Sequence, residues 1–361
     1  LFYKQQDARR EEGYTLFYMS INIGALLASL VCGAVGEYYG WHYGFGLAAI
    51  GMIIGNIAML SFSRLLEDKG MAPVRLNRTS SAKILEKLLM PLGLCLAVYI
   101  VATAIFYGGT VLPLLPFLCL ACIGYIAWKI VKSGSIPKGK IIMLVVYLAA
   151  LAIFYAAEEQ IGSSLMLLGE RHAKTTVLGM EIPASLLLGI NPATIILIGP
   201  FINRICRIFQ ARRSEFPYRL VIAFVLASVA FTGIAFACTS PDRIGQISML
   251  SLVCGIVIIS GAELLVGPAV YSYCSEIAPE DQQGAVMGLV PMGFSLASFC
   301  GGGLSALMAL PEEATFTSLS IYTSGYSIIA IMLLGTSVIL AVAIPMIQRG
   351  LEPADYKIIK I

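Results

Sequence analysis

The chain has 361 residues, of which 58% are hydrophobic and 12% charged, with a formal charge of +3 and a mean hydropathy of +0.86. Such a balance excludes a soluble globular domain, and the net charge is too small to favour a nucleic-acid partner. The apolar residues come in repeated blocks long enough to cross a bilayer as helices, so the expected class is all-α: a polytopic helical membrane protein.

The chain opens on a charged segment, Leu1-Phe-Tyr-Lys-Gln-Gln-Asp-Ala-Arg-Arg10, with no initiator Met and no signal-peptide pattern, and it reads as the middle of a longer protein. Ten spans are expected, near 14–36, 42–63, 90–109, 111–131, 141–166, 182–203, 219–238, 246–270, 286–308 and 320–347. With the amino end placed in the cytoplasm, 21 of the 24 Lys and Arg fall on the inner side. This bias places both ends of the chain in the cytoplasm, with the acidic 271–285 loop as an exception.

The first span carries Tyr18 and Asn22 one turn apart. A mid-span Asn must find a hydrogen-bond partner, either in another helix or facing a cavity. The second span is glycine-rich, and Gly51-x-x-x-Gly55 reads as a packing motif. Residues 64–89 are mixed and basic, as in a cytoplasmic linker, and the pair 90–109 and 111–131 forms a hairpin without evident chemistry. Cys119 and Cys122 lie inside it at a spacing better suited to helix packing than to a metal, and the nine cysteines together suggest no disulfide framework.

Two adjacent carboxylates, Glu158 and Glu159, sit inside the apolar run that starts near Ile141. A charge at mid-membrane costs roughly 2.5–3.5 kcal/mol, so neither should face lipid. Residues four apart on a helix share a face, which puts Tyr155, Glu159 and Ser163 on one stripe and turns Glu158 away from it. Either carboxylate could face a wet interior or be held structurally between helices. The next span holds Ile190-Asn-Pro192, where proline frees carbonyls and lets the helix kink beside Asn191. A third membrane carboxylate, Glu263, precedes Gly267-Pro268. No Lys or Arg lies at comparable depth, so its countercharge must come from a ligand or from residues outside this chain.

Several stretches carry a resemblance: Gly13-Tyr-Thr-Leu-Phe-Tyr-Met-Ser-Ile-Asn-Ile-Gly24, Gly40-Trp-His-Tyr-Gly-Phe-Gly46, Phe154-Tyr-x-x-x-Glu-Gln-x-Gly-Ser-Ser164, Ile190-Asn-Pro192 and Glu263-Leu-Leu-x-x-Pro268. In this order they resemble the proton-dependent oligopeptide transporter family of the major facilitator superfamily. The resemblance implies two six-helix bundles with an accessory hairpin between them. Residues 1–63 would then be the last two spans of the first bundle, 64–140 the linker and hairpin, and 141–361 the second bundle, with four spans expected upstream.

The resemblance further implies a substrate site that includes Asn22, Asn191 and Glu263, with Tyr155, Ser163 and Tyr18 along its wall. Glu159, with Glu158 beside it, would serve proton coupling and gating. The implied activity is symport of di- and tripeptides with protons by alternating access, in a monomer of the bacterial inner membrane that needs no cofactor beyond the proton and no metal. The family's Glu-x-x-Glu-Arg motif is absent from this chain, Glu158 stands where an apolar residue is usual, and Tyr155 where Trp is usual. The fragment alone is expected not to transport. The alternatives are a facilitator for another amine or amino-acid-like solute, and a truncated membrane protein that does not transport. An intramembrane enzyme is disfavoured, because adjacent carboxylates diverge around a helix and no nucleophile or metal set accompanies them.

Overall fold

The computed structural model describes residues 10–66, 115–134, 136–173, 176–177, 180–181, 187–209, 218–279, 282–309 and 318–350, with scattered positions between 89 and 106. The expected linker at 64–89 lies mostly outside the described residues, whereas the expected span at 90–109 is described in part, with an apolar helical run at Pro91–Ile100.

The helices are α1 (Arg10–Leu27), α2 (Ala34–Tyr39), α3 (Trp41–Ser61), α4 (Leu115–Ser133), α5 (Lys138–Glu158), α6 (Ser164–His172), α7 (Leu187–Phe209), α8 (Tyr218–Thr239), α9 (Met249–Ile277), α10 (Gln283–Ala306) and α11 (Ser318–Gly350). Strands β1 (Thr176–Val177) and β2 (Met180–Glu181) pair as one small antiparallel hairpin. An isolated bridge pairs Ala173 with Ile247, the other described residues are nearly all helical, and seven helical runs among them are long and apolar enough to cross a membrane. The fold is all-α, as the composition requires.

A π-helical segment, Ala28–Gly33, joins α1 to α2, so the expected first span is one continuous helical path with a local widening of its ladder. Gly40 stops it with φ +108°, a conformation that a residue with a Cβ adopts only under strain. Helix α3 turns straight back, and the two backbones touch. A Cβ placed on Gly44 would lie 2.6 Å from the Cys32 carbonyl oxygen and 3.1 Å from the Gly36 Cα. The Gly51-x-x-x-Gly55 pattern is not the packing motif within this part of the chain: a Cβ on either glycine would meet no described atom within 4 Å. A hairpin with a single connecting residue is tightest next to its turn, so close approach is needed at Gly44 and not one or two turns further on.

Helix α9 lies at the centre of the remaining bundle, against α1, α5, α7, α8 and α10, while α11 packs on α8 and α5. Lipid offers no hydrophobic drive between helices, so association depends on close packing and interhelical hydrogen bonds. Phe231 stacks on Tyr326 at 6.0 Å, Phe154 meets Phe224 edge-on at 5.8 Å, and Ser228 Oγ donates to the Ala330 carbonyl at 2.8 Å. Outward positions such as Ile222, Val229, Phe236, Ile331 and Val338 stay exposed and apolar, as a lipid-facing surface demands. Helix α4 packs on α10, where Cys119 Sγ donates to the Met292 carbonyl at 3.3 Å, consistent with the packing role read from its spacing.

The hairpin geometry separates two glycines of α3. Gly44→Ala must push the α3 backbone off α2 and should cost about 1–3 kcal/mol, lowering the thermal midpoint of the detergent-solubilised protein. Gly51→Ala should leave that midpoint unchanged or slightly raised.

Candidate functional site

Helix α5 does not continue to residue 166. It ends at Glu158, and the chain makes a short irregular turn before α6 restarts at Ser164. The turn is stitched by Gln160 N to Ala157 O (3.2 Å), Ile161 N to Glu158 O (2.9 Å) and Leu165 N to Gln160 O (2.8 Å). Its anchor is the side chain of Gln160, which is fully buried. Its Nε2 donates to Ala156 O at 3.2 Å and Gly301 O at 3.0 Å, while its Oε1 accepts from Ser164 at 2.8 Å and Ser305 at 3.0 Å. Every hydrogen-bonding position of the amide is thereby used.

The break redirects the residues around it. Tyr155 and Glu158 turn toward α7 and α9, while Glu159 and Ser163 turn toward α10. This corrects the expected stripe of Tyr155, Glu159 and Ser163. Residues three apart on a helix also share a face, which groups Glu158 with Tyr155, and the helix ends before Ser163 could continue any stripe.

The centre of the site is Glu263 of α9, buried at 4% exposure. Its Oε1 accepts from the Tyr18 hydroxyl of α1 and, at 3.5 Å, from the Tyr155 hydroxyl of α5; the two hydroxyls lie 2.5 Å apart. Its Oε2 accepts from Asn191 Nδ2 of α7 at 2.7 Å. Asn191 also donates to Ser260 Oγ at 3.1 Å and reaches Glu158 Oε1 at 3.5 Å. Four helices therefore supply one cluster: Tyr18, Tyr155 with Glu158, Asn191, and Glu263 with Ser260.

The other expected site residues lie elsewhere. Asn22 is buried on the same face as Tyr18, but its Nδ2 donates to the Tyr18 carbonyl of its own helix at 3.0 Å. Ser163 Oγ bonds the Glu159 carbonyl and Ser305 Oγ, both at 2.8 Å. The Glu159 side chain is exposed and accepts from Ser298 Oγ at 2.5 Å. Glu159, Ser163 and Gln160 thus form an α5–α10 joint next to the Glu263 cluster.

Three residues escape the sequence reading. Gln160 stands in the quoted motif as a polar residue in an apolar run, a signal in itself. Ser260 and Gly267 lie three before and four after Glu263, on its helical face. A Cβ on Gly267 would sit 2.8 Å from the Tyr155 hydroxyl oxygen and 2.9 Å from a ring carbon of Tyr18, so this glycine makes room for both tyrosines.

The PTR2 model of the POT family matches residues 1–321. The chain belongs to the POT family. Its members are transporters and not enzymes. Dipeptide and tripeptide permease A of Proteus mirabilis is 23% identical over 350 residues, covering 96% of this chain and 70% of that protein. The peptide transporter YePEPT of Yersinia enterocolitica is 26% identical over 319 residues, covering 83% and 62%. A solved POT family transporter in complex with 5-aminolevulinic acid aligns with a TM-score of 0.74 at 21% identity over 96% of this chain and 71% of that one. A peptide transporter POT in complex with sulfate aligns with a TM-score of 0.72 at 24% identity over 96% and 70%. The helical bundle of this POT chain is accordingly of the major facilitator type.

Two substitutions test the site's construction. Gly267→Ala crowds both tyrosine rings and should cost about 1–3 kcal/mol as an overpacked contact, read as a lower thermal midpoint in detergent. Gln160→Ala leaves the Gly301 carbonyl and its serine partners short of a bond at about 1–3 kcal/mol for each buried group left unsatisfied. It should lower the midpoint further than Ser298→Ala, which removes one bond at an exposed carboxylate.

Proposed function

We propose that this POT protein imports di- and tripeptides together with protons by alternating access. The observation that carries the reading is the Glu263 cluster. A buried carboxylate is given neutral donors from three neighbouring helices, and among the described residues no Lys, Arg or His bonds it. A carboxylate so placed retains affinity for a cation, and the amino terminus of a peptide is one. Family membership and the names of the relatives, dipeptide and tripeptide permeases among them, support the same reading.

In this reading Glu263, Asn191, Tyr18 and Tyr155 seat the ammonium, with Asn22 and Ser163 further along the wall. Residues 1–63 belong to one bundle, 64–140 to the linker and hairpin, and 141–361 to the second bundle, with the substrate held between bundles. Glu159, exposed at the α5 break, takes the coupled proton. Protonating it alters its bond to Ser298 and biases the α5–α10 joint toward one facing state, as any ligand must if it is to drive a conformational change. The protein acts as a monomer in the inner membrane, with its Lys- and Arg-rich loops in the cytoplasm. A non-peptide amine is the second reading, favoured by the relative solved with 5-aminolevulinic acid.

The test is uptake of labelled Ala-Ala by cells that lack their own peptide uptake and express the protein from its complete coding sequence. Uptake should rise on external acidification and collapse with a protonophore. Glu159→Gln should reduce proton-driven accumulation by about tenfold or more, within the usual range of coupling between sites, while peptide exchange across the membrane persists. Accumulation undiminished in Glu159→Gln would remove that residue from coupling, and uptake of labelled 5-aminolevulinic acid without uptake of labelled Ala-Ala would favour the second reading.

A further inference from the structure

Glu158 has no task in the ammonium seat just described, yet it lies at its edge. Asn191 has two N–H bonds, and three acceptors face its Nδ2: Glu263 Oε2 at 2.7 Å, Ser260 Oγ at 3.1 Å and Glu158 Oε1 at 3.5 Å. The two shorter contacts use both hydrogens. Glu158 keeps the long one, and among the described residues no other hydrogen bond reaches its carboxylate. Glu263, by contrast, draws donors from three helices.

Both carboxylates thus lie within 3.5 Å of one nitrogen, and the donors around them are neutral amide and hydroxyl groups that satisfy one of the two. Like charges this close repel, the more so where water is scarce. A single ammonium neutralises one carboxylate; the other must hold a proton or meet a second cation.

We propose that Glu158 is a specificity-determining residue that makes this a two-carboxylate seat, selecting peptides whose first residue carries a second ammonium, such as amino-terminal lysine or ornithine. The α-ammonium binds at Glu263 and Asn191, and the side-chain ammonium folds back to Glu158 on its flexible arm. The inference rests on the peptide reading above. It concerns the first residue only, because both carboxylates belong to the amino-terminal end of the site.

The test is inhibition of labelled Ala-Ala uptake by unlabelled Lys-Ala, Ala-Lys and Ala-Ala in cells expressing the complete protein. Lys-Ala should inhibit at about a tenfold lower concentration than Ala-Ala, the worth of one hydrogen bond to a charged group, whereas Ala-Lys should gain nothing. In Glu158→Gln and Glu158→Leu the advantage of Lys-Ala should vanish. Parity of Lys-Ala with Ala-Ala in the unmodified protein overturns the proposal, leaves peptide uptake standing, and needs no variant to insert correctly. An equal gain by Ala-Lys, or an advantage that survives both substitutions, assigns the selectivity to something other than Glu158 and overturns it too. Failure of labelled Ala-Ala to enter, with no competition by any peptide, removes the peptide reading and the proposal with it.

Discussion

A carboxylate between membrane helices must be given hydrogen-bond donors, and the donors must come from somewhere. Glu263 sits in the middle of α9 with no donor of its own helix bonded to it, so its oxygens recruit Tyr18 from α1, Tyr155 from α5 and Asn191 from α7. The cost of leaving it bare, several kcal/mol in a medium without water, fixes how these four helices stand to one another. Gly267, one turn along α9, lets the two tyrosines approach closely enough to donate. Asn191 is held next to Pro192, inside a helix that tolerates the proline because its neighbours supply packing.

The same demand explains the break in α5. Three consecutive residues serve two neighbours: Glu158 reaches α7, while Glu159 meets Ser298 and Gln160 bonds Gly301 and Ser305, all of α10. On a straight helix Glu159 and Gln160 would diverge by about 100°, and the turn lets both face α10. The turn is tolerated because Gln160 bonds the carbonyl of Ala156, which the broken ladder would otherwise leave unpaired. Gly301 has no side chain to obstruct the approach, since a Cβ there would lie 2.9 Å from that of Glu159.

Much of this was readable in the sequence, for a physical reason. Ionisable and amide side chains are so costly in hydrocarbon that Tyr18, Asn191, Glu158, Glu159 and Glu263 stand out from their apolar surroundings, and the quoted motifs tie several of them to one family. The division of labour between Glu158 and Glu159 was not readable. It depends on where α5 stops, and that is decided by the bond from Gln160 to a helix more than a hundred residues away. The close approach at Gly44 was not readable for a similar reason. A small-x-x-x-small spacing such as Gly51 to Gly55 describes one face of one helix, whereas Gly44 matters because Gly40 folds α2 back onto it. Local pattern gives the helices and their polar residues; the partner of each face is a tertiary fact.

Neutral donors around Glu263 also bear on how the proposed transport cycle could be coupled. A fixed lysine in their place would neutralise the carboxylate in every state and compete with the substrate for it. Tyrosine and asparagine stabilise the charge without removing its appetite for a cation, so occupancy by ligand or proton changes the local charge. The neighbouring joint carries the consequence. Gln160 uses all four of its hydrogen-bonding positions, shared among α5, α6 and α10, and so a rotation of α10 against α5 must exchange whole buried bonds. Packed elements linked in this way move between discrete arrangements and do not deform by degrees. If such an arrangement responds to a proton at Glu159, it must by reciprocity respond to a cation at Glu263, since a coupling free energy between two binding sites acts equally in both directions. The short path from one carboxylate to the other, from Glu159 through its neighbour Glu158 and Asn191 to Glu263, is the physical link that this coupling would use.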